Sequence, residues 1–204
     1  GYGLTETSPV LAAERPEDLA SGSVGKPLPN VNIMIAGQDE NGVGEIIARG
    51  PNIMLGYMDQ PEETAETIRD GWFYTGDLGK FDVNGNLWIT GRKKNVIVMK
   101  NGKNIFPEEI EARLNNMPFV LESLVIERNR KLVALVYADY EALDSLGLNN
   151  PENLKTIMDE NLKNLNNSVA AYEKVSQIQL YPTEFEKTPK RSIKRYLYNS
   201  IAED

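Results

Sequence analysis

The first seven residues, Gly-Tyr-Gly-Leu-Thr-Glu-Thr, bring glycines, an aromatic ring, hydroxyls and one carboxylate together in a short stretch. Glycine lets a backbone approach a ligand closely, because it carries no Cβ. The hydroxyl of Thr5 could bond a phosphate oxygen, and the carboxylate of Glu6 could hold Mg²⁺. The residues alone favour a simpler interpretation, a glycine-rich turn that caps a helix.

A second group of this kind lies at residues 71–77, Gly-Trp-Phe-Tyr-Thr-Gly-Asp. The carboxylate of Asp77 could accept two hydrogen bonds from a ribose diol, and an Asx-type turn fits the spacing equally well. Residues 21–26, Ser-Gly-Ser-Val-Gly-Lys, look like a phosphate-binding loop. However, Ala20 stands where that motif needs glycine, and Pro27 stands where it needs serine or threonine. We therefore interpret residues 21–26 as an ordinary turn.

Three further segments carry cations or a tight turn. Residues 91–94, Gly-Arg-Lys-Lys, could bind phosphate, although the charges alone favour a solvated linker. Residues 101–104, Asn-Gly-Lys-Asn, form a tight turn or bring the backbone of Gly102 to a ligand. Residues 187–195 hold five cations, which fit a solvated tail or a mobile arm that brings an ammonium group to an anionic intermediate.

The composition excludes several kinds of chemistry. The 204 residues contain no cysteine and no histidine, which excludes disulfides, thiol nucleophiles, a Ser-His-Asp triad and a histidine general base. A metal would have to be bound by oxygen, which suits Mg²⁺ or Ca²⁺. The net charge of −8 comes from residues 1–92, with 14 acids and 6 bases, since residues 93–204 hold 16 of each. This balance argues against nucleic-acid binding, and no apolar run approaches the roughly 18 residues of a membrane span.

Hydrophobic periodicity and turn residues predict the elements that would carry these segments. Residues 1–92 are expected to hold short strands at 31–35 and 45–48, a short helix from Pro61, and a hairpin turned at Asn84-Gly85. Residues 93–204 are expected to hold a strand at 95–99, a helix at 107–117, hairpin strands at 123–127 and 131–138, a helix at 151–164 and a strand at 175–180. The pattern indicates an α+β fold with a β-rich first half and a small α+β domain after it.

Four of the motifs, in their order along the chain, resemble those of the adenylate-forming superfamily, which includes acyl- and aryl-CoA synthetases, adenylation domains and luciferases. They are residues 2–6, 71–77, 91–94 and 101–111. The resemblance extends to about Arg195, and bacterial long-chain fatty-acid–CoA ligases are the subgroup that the chain is most similar to. It implies that a carboxylate reacts with Mg·ATP to give acyl-AMP and pyrophosphate, and that the acyl group then passes to the thiol of CoA.

The resemblance also implies an architecture and a set of residue roles. Residues 1–92 would be the C-terminal, β-rich part of a large AMP-binding domain, a partial β-barrel subdomain, and residues 93–204 a mobile α+β lid. Tyr2 would pack on adenine, and Glu6 would be the metal ligand, acting in catalysis with Thr5 at the phosphate. The nucleotide-binding residues implied are Tyr2, Gly3, Thr5, Asp77 at the ribose and Arg92 at the ribose or phosphate. Lys94 would be the hinge, and Gly102 with Lys103 would bind CoA.

The superfamily's lysine for adenylate formation lies in a Lys-Thr-x-x-Gly-Lys pattern, from which this sequence departs. Aligning Lys187-Thr188 without a gap puts Arg191 at the glycine and Ser192 at the lysine. Our hypothesis is that Lys190 or Lys194 takes the catalytic role, with Lys194 favoured. In an extended segment, residues 190, 192 and 194 would share one face.

The phosphate loop and the acyl pocket of the superfamily precede the first motif, so we expect the 204 residues alone to be inactive and to work with the rest of the N-terminal domain. The expected substrates are a fatty acid or other carboxylate, ATP and CoA. We expect a cytoplasmic enzyme that contacts the inner membrane surface, where fatty acids partition. Two alternatives stay open: an adenylating protein that loads a carrier-protein phosphopantetheine, and a non-catalytic binding module.

Overall fold

The computed structural model describes residues 1–100, 102–189 and 191–198; Asn101 and Lys190 lie outside these residues. The chain divides into two compact units, Gly1–Lys94 and a second that begins at Asn95. Both units combine helices with sheets, so the α+β class is confirmed. No helix of the described residues is both long and apolar enough to cross a membrane.

The first unit is built mainly from strands. Its elements are β1 (Tyr2–Gly3), β2 (Val10–Ala13), β3 (Lys26–Pro27), β4 (Asn32–Ala36), β5 (Gly44–Arg49), α1 (Pro61–Thr67), β6 (Ile68–Arg69), β7 (Trp72–Phe81) and β8 (Leu87–Arg92). Strands β1, β2 and β3 form one sheet. Strands β4, β5, β7 and β6 form another in that order, and β8 also pairs with β7. The strand orders are open, so no sheet of the described residues closes into a barrel.

The β7–β8 hairpin forms around the predicted Asn84-Gly85 turn, and Asp82 holds it. Its carboxylate accepts hydrogen bonds from the backbone N–H groups of Asn84 and Asn86 and from the ring N–H of Trp88, at 2.9 to 3.2 Å. Hydrogen bonds from Asn86, first from its side chain and then from its backbone, lower the pKa of Asp82 to about 2. The turn therefore fixes the register of the hairpin from its closed end.

The second unit is a three-stranded sheet with helices. Its elements are β9 (Ile97–Val98), β10 (Asn104–Ile105), α2 (Pro107–Leu114), β11 (Val120–Arg128), β12 (Lys131–Ala138), α3 (Tyr140–Ser145), α4 (Pro151–Ser168) and β13 (Val175–Leu180). Strand β12 lies between β11, which is antiparallel to it, and β13, which is parallel. The parallel pair requires a crossover connection, and α3 and α4 supply it.

Both faces of this sheet are buried, as the alternation along β11 shows. Val125 faces the core that contains Leu114, while Leu124 and Ile126 face a second core that contains Phe185 and Tyr198. The first core also holds the apolar stripe of α4. The C-terminal segment contributes Phe185 and Tyr198 to the second core, so the last described residues are a structural part of this unit.

Several predicted boundaries are wrong. The helix predicted at 107–117 ends at Leu114, and only residues 97 and 98 of the strand predicted at 95–99 pair, with β10. Helix α3 was not predicted; the carboxylate of Asp139 caps it by accepting a hydrogen bond from the N–H of Ala142 (3.0 Å). At six residues, α3 is too short for a clear helical period.

Candidate functional site

Asp77 lies at an irregularity of β7. The preceding residue, Gly76, has φ of 71°, in the left-handed region that glycine adopts at little cost. The pairing of β7 with β8 shifts register between Leu78 and Gly79. Asp77 therefore lies opposite Arg92, whereas a regular ladder would have placed it opposite Gly91.

The hydroxyl of Thr75 holds the backbone at this irregularity. It donates a hydrogen bond to the carbonyl of Ile46 (2.8 Å) and accepts one from the N–H of Asp77 (3.1 Å). The carboxylate of Glu45 accepts another from the N–H of Gly76 (3.3 Å). Because Thr75 is buried, its two hydrogen bonds are shielded from water, and they hold the backbone at Asp77.

Tyr2 and Arg92 engage the two oxygens of the Asp77 carboxylate. The hydroxyl of Tyr2 donates to Oδ2 (2.8 Å), and Nε of Arg92 lies 2.9 Å from Oδ1. Burial, and next the charge of Asp77, raise the pKa of Tyr2 above its ordinary value, so the phenol remains a donor. Each carboxylate oxygen can accept more than one hydrogen bond, so a carboxylate is a suitable group for a diol. The structure thus brings three of the predicted nucleotide-binding residues together.

The side chain of Arg92 differs from its partner in exposure. It is 51% exposed, whereas the side chain of Asp77 is 8% exposed. A buried carboxylate beside a solvent-facing guanidinium offers an acceptor for hydroxyls and a cation for an anionic group next to them.

Thr5 and Glu6 lie in a short 3₁₀ turn, Thr5–Thr7, which the buried hydroxyl of Thr7 fixes. This hydroxyl accepts a hydrogen bond from the N–H of Leu4 (2.9 Å) and lies 2.7 Å from the carbonyl of Pro9. Thr5 itself is exposed and Glu6 half-buried. The turn therefore presents a hydroxyl and a carboxylate side by side on a backbone that is held from within.

The amide of Asn52 joins this turn to the strand after it. Its Nδ2 donates to the carbonyls of Thr7 (2.8 Å) and Val10 (3.0 Å). The hydroxyl of Tyr57 donates to Oε1 of Glu6 (3.1 Å), and burial together with this bond raises the pKa of Tyr57. Asn52 and Tyr57, which are distant from the turn in sequence, thus both hold it in place.

The close packing of β1 against β2 requires glycine at position 3. A Cβ at this position would lie 1.7 Å from the carbonyl oxygen of Pro9, because β1 and β2 approach each other closely there. The close approach that the sequence suggested for a ligand is therefore made, in this structure, by the neighbouring backbone. The role of Gly3 in nucleotide binding stays a prediction.

The two neighbours of Lys94 in the chain each make a side-chain contact within their own unit. Lys93 pairs with Glu45 of the first unit (2.7 Å), and Nδ2 of Asn95 donates to Oε1 of Glu108 of the second unit (2.5 Å). Lys94 is exposed, in the short 3₁₀ turn Lys93–Asn95 where the two units are divided. The role of Lys94 as a hinge stays a prediction.

Gly102 lies in the turn that joins β9 to β10. Its φ is 77°, and no heavy atom of the described residues lies within 4 Å of the place of a Cβ. The N–H of Gly102 donates to the carbonyl of Met99 (2.8 Å). The ammonium group of Lys103 lies 5.8 Å from the ring centroid of Tyr172. Gly102 thus lies in a tight turn and also has room beside its Cα. A tight turn and a close approach of this backbone to a ligand are therefore compatible.

The segment of the Lys-Thr motif is a hairpin, so the expectation of one extended segment is wrong. Lys187 pairs with Ile193, and the N–H of Thr188 donates to the carbonyl of Ser192 (2.8 Å). Arg191 has φ of 64°, a conformation that suits glycine. This fits the gap-free alignment, which places Arg191 at the motif's glycine and Ser192 at its lysine. Lys190 lies outside the described residues.

Lys194 follows this hairpin and is paired with Glu186. Its Nζ lies 3.1 Å from Oε2 of Glu186, and its N–H donates to the carbonyl of the same residue (2.8 Å). Hydrogen bonding and charge at Glu186 raise the pKa of Lys194, which is therefore an ammonium group at neutral pH. Lys187 is directed elsewhere, to Glu122 and Glu184.

Sequence reasoning did not assign roles to Thr75, Tyr57 or Glu45. Thr75 stands inside the quoted motif 71–77, and that position could have drawn attention to it. The other two contact predicted residues from distant parts of the chain, and nothing in their local sequence indicates this. Among the described residues, no cluster of three or more acidic side chains could hold a metal. The role of Glu6 as a metal ligand stays a prediction.

Comparison with known proteins matches both parts of the chain to one family. Residues 1–58 match the model of the AMP-binding enzyme, and residues 94–201 match that of the AMP-binding enzyme C-terminal domain. The chain is 34% identical over 214 residues to the long-chain-fatty-acid–CoA ligase FadD15 of Mycobacterium bovis, covering 96% of this chain and 35% of the ligase. It is 42% identical over 134 residues to the indoleacetate–CoA ligase of Aromatoleum aromaticum, covering 62% of this chain and 26% of that enzyme.

Solved structures of similar fold agree with this family match. One is the o-succinylbenzoate CoA synthetase MenE from Bacillus subtilis in complex with its acyl-adenylate intermediate, with a TM-score of 0.80, 27% identity, and coverage of 99% of this chain and 40% of that one. Another is ATP-bound MatB from Rhodopseudomonas palustris, with a TM-score of 0.77, 27% identity, and coverage of 97% and 39%. The matched part of the chain thus spans between about a quarter and two fifths of the length of these relatives. It belongs to the AMP-binding, or adenylate-forming, enzyme family.

Proposed function

We propose that the enzyme containing these residues ligates a long-chain fatty acid to CoA, through an acyl-adenylate made from ATP. The observation that carries this is the buried Asp77 carboxylate, held by Tyr2 and Arg92 in the first unit. The long-chain fatty acid is supported by the names of the relatives, of which FadD15 aligns over nearly the whole chain. The match to an indoleacetate–CoA ligase covers less of it.

The nucleotide would use the residues of the first unit. Asp77 would accept hydrogen bonds from the ribose hydroxyls, and Arg92 would neutralise the ribose or phosphate side. Tyr2 would pack on adenine while its hydroxyl keeps Asp77 in place. Thr5 would bond the phosphate of AMP. Positioning and charge neutralisation are sufficient for this reaction, because pyrophosphate is the leaving group and no protein nucleophile is needed.

Mg²⁺ would arrive with ATP and be held by Glu6. The residues fit this: Mg²⁺ is commonly bound by one or two carboxylates together with substrate phosphates, and the half-buried Glu6 is fixed by the hydroxyl of Tyr57. When bound, the cation would neutralise charge on the phosphates.

The second unit would serve the two half-reactions in turn by rotating about Lys94. Lys194 would stabilise charge during adenylate formation, for which Ser192, an uncharged residue at the motif's lysine position, is unsuited. Gly102 and Lys103 would line the path of CoA during thioester formation. The contacts of Lys93 with Glu45 and of Asn95 with Glu108 support the hinge, because each flanking side chain contacts a residue of its own unit.

We further propose that residues 1–204 do not form acyl-adenylate without the remainder of the enzyme, since they correspond to 35% of the length of FadD15. Adenylate formation by these residues alone would refute this. Location in the cytoplasm and contact with the inner membrane stay predictions.

Calorimetric titration of the whole enzyme with AMP tests the nucleotide site. Asp77→Asn should weaken binding at least tenfold, because hydrogen bonds to a charged acceptor contribute about 1.5 to 3 kcal/mol each. The matched control is Glu66→Gln, which removes an exposed carboxylate of α1 in the same unit. Equal AMP affinity of Asp77→Asn and the unmodified enzyme would contradict the assignment.

A second assay identifies the acceptor and the acid. Thioester formation is measured with a long-chain fatty acid or indoleacetate, and with CoA or a phosphopantetheine-bearing carrier protein. The proposal predicts the fatty acid and CoA. Transfer to the carrier alone would favour the adenylating alternative, and no nucleotide binding or turnover with any pair would favour a non-catalytic module.

A further inference from the structure

Arg195, the residue after Lys194, is held by a closed set of polar contacts in the second unit. Its side chain is 17% exposed. Its guanidinium pairs with Oε2 of Glu111 and donates to the carbonyl of Val125 (3.3 Å). The N–H of Val125 in turn donates to Oε1 of Glu111 (2.6 Å). Each of the three residues thus contacts the other two.

The partners of Arg195 are rigid parts of the fold. Val125 lies in β11, an edge strand that pairs only with β12 in the described sheet, and the Glu111 and Arg195 side chains bind its outward backbone groups. Glu111 is on α2, which is fixed by the buried Ile110 and Leu114. An arginine attached to such a frame has little freedom, and it restricts the residue next to it.

The other end of the lysine-bearing hairpin is held as well. The N–H of Glu186 donates to the hydroxyl of Tyr198 (2.7 Å), which is buried and packs edge-on against Phe185, with ring centroids 5.2 Å apart. The N–H of Lys194 donates to the carbonyl of Glu186. The backbone of Lys194 therefore lies between an anchor at Glu186 and an anchor at Arg195.

Glu108 connects the same arginine to the residue after the proposed hinge. Its Oε1 lies 3.9 Å from Nε of Arg195 and accepts the hydrogen bond from Asn95. The segment that carries Lys194 and the first residue after Lys94 are thus held by one side chain of α2. When the second unit moves as a body, both would move with it.

We propose that Arg195 and Glu111 are positioning residues, which hold the backbone of Lys194 so that its ammonium group is presented to the reacting phosphate during adenylate formation. This rests on the proposed function, in which Lys194 serves that half-reaction. A positioning residue acts only through the group that it positions, which distinguishes it from a residue that contacts the substrate.

A double-mutant cycle in the whole enzyme tests this at pH 8. Arg195→Ala should slow acyl-adenylate formation by about 10²-fold, the order of loss that a misplacement of about 1 Å produces. It should leave thioester formation from supplied acyl-adenylate and CoA unchanged. In a Lys194→Ala background, removing Arg195 should cause no further loss, since there is no longer an ammonium group to position. Arg195→Lys, which keeps one cationic contact, should be intermediate.

The matched control is Arg128→Ala, which removes another arginine of this unit, whose guanidinium bonds Gln179 (2.8 Å), and should affect neither half-reaction. Equal losses in both half-reactions of Arg195→Ala would show a purely structural role and overturn the proposal. So would a full further loss in the Lys194→Ala background. If Lys194→Ala itself leaves adenylate formation unchanged, the proposed role of Lys194 fails first, and that of Arg195 with it.

Discussion

Glu111 should make the second unit less stable as pH rises, and the effect can be measured with Glu111→Gln. Its carboxyl is buried, and burial raises its pKa to about 7, although the Arg195 guanidinium and the N–H of Val125 oppose the shift. The nearby carboxylate of Glu108 adds to it. The ordinary pKa of a glutamate is 4.5, which we take for the unfolded chain.

The sign follows from proton binding. Between pH 4.5 and about 7, the folded protein keeps a proton that the unfolded chain has released, so stability falls as pH rises through this range. One pKa unit corresponds to about 1.4 kcal/mol, so the whole difference amounts to about 3 kcal/mol. Glu111→Gln cannot titrate. Its free energy of unfolding, relative to the unmodified chain, should therefore rise by about 3 kcal/mol in all as pH increases from 4.5 through about 7, and level off above that range.

Urea unfolding of the 204-residue chain, followed by far-ultraviolet circular dichroism, is the assay. The signal reports mainly on the second unit, because α2, α3 and α4 lie there and only the short α1 lies in the first. The control is Glu160→Gln, which removes an exposed carboxylate of α4. A flat difference for Glu111→Gln, or an unmodified chain that gains stability towards pH 7, would refute the reasoning that burial outweighs Arg195.

Three further predictions concern the backbone. Thr7→Val should destabilise the first unit by about 1 to 3 kcal/mol, since the N–H of Leu4 and the buried side chain of Thr7 lose their hydrogen bond, whereas Thr7→Ser should not; the fluorescence of Trp72 and Trp88 during unfolding measures this. Gly3→Ala should be more harmful than a surface change, with a loss of about 1 to 3 kcal/mol in the same assay, because its Cβ would meet the carbonyl of Pro9. Arg130→Gly should stabilise the β11–β12 turn by up to about 1 kcal/mol, as its φ is 64°; unchanged stability by circular dichroism would count against strain there.

Local signals predicted much of the fold. The helix from Pro61, the turn at Asn84-Gly85 and the strand Val175–Leu180 formed as expected, because proline, glycine and alternating apolar residues act within a few positions. The strand expected at 95–99 and helix α3 depend on tertiary packing, to which a short window is insensitive. The hairpin of the Lys-Thr motif was missed for a related reason: its turn places Arg191 in a conformation that arginine rarely adopts.

The sequence predicted which residues belong to the candidate site, but it did not predict the contacts between them. Tyr2 and Asp77 are 75 positions apart, and the pairing of Asp77 with Arg92 follows a register shift that a short stretch of sequence does not reveal. Glu111 and Arg195 are 84 positions apart, and each stands in a segment that charge patterning alone would leave to solvent. Only the fold reveals that Glu111 is buried, that Arg195 is mostly buried and that the two side chains form an ion pair.

Exchange of labelled pyrophosphate into ATP, measured with the whole enzyme, tests the central claim that this site forms an acyl-adenylate. We expect exchange that requires both a long-chain fatty acid and Mg²⁺, and that falls at least tenfold in Asp77→Asn while Glu66→Gln retains it. Fatty-acid-dependent exchange that persists undiminished in a folded Asp77→Asn enzyme, or the lack of any exchange in the unmodified enzyme, would contradict the account.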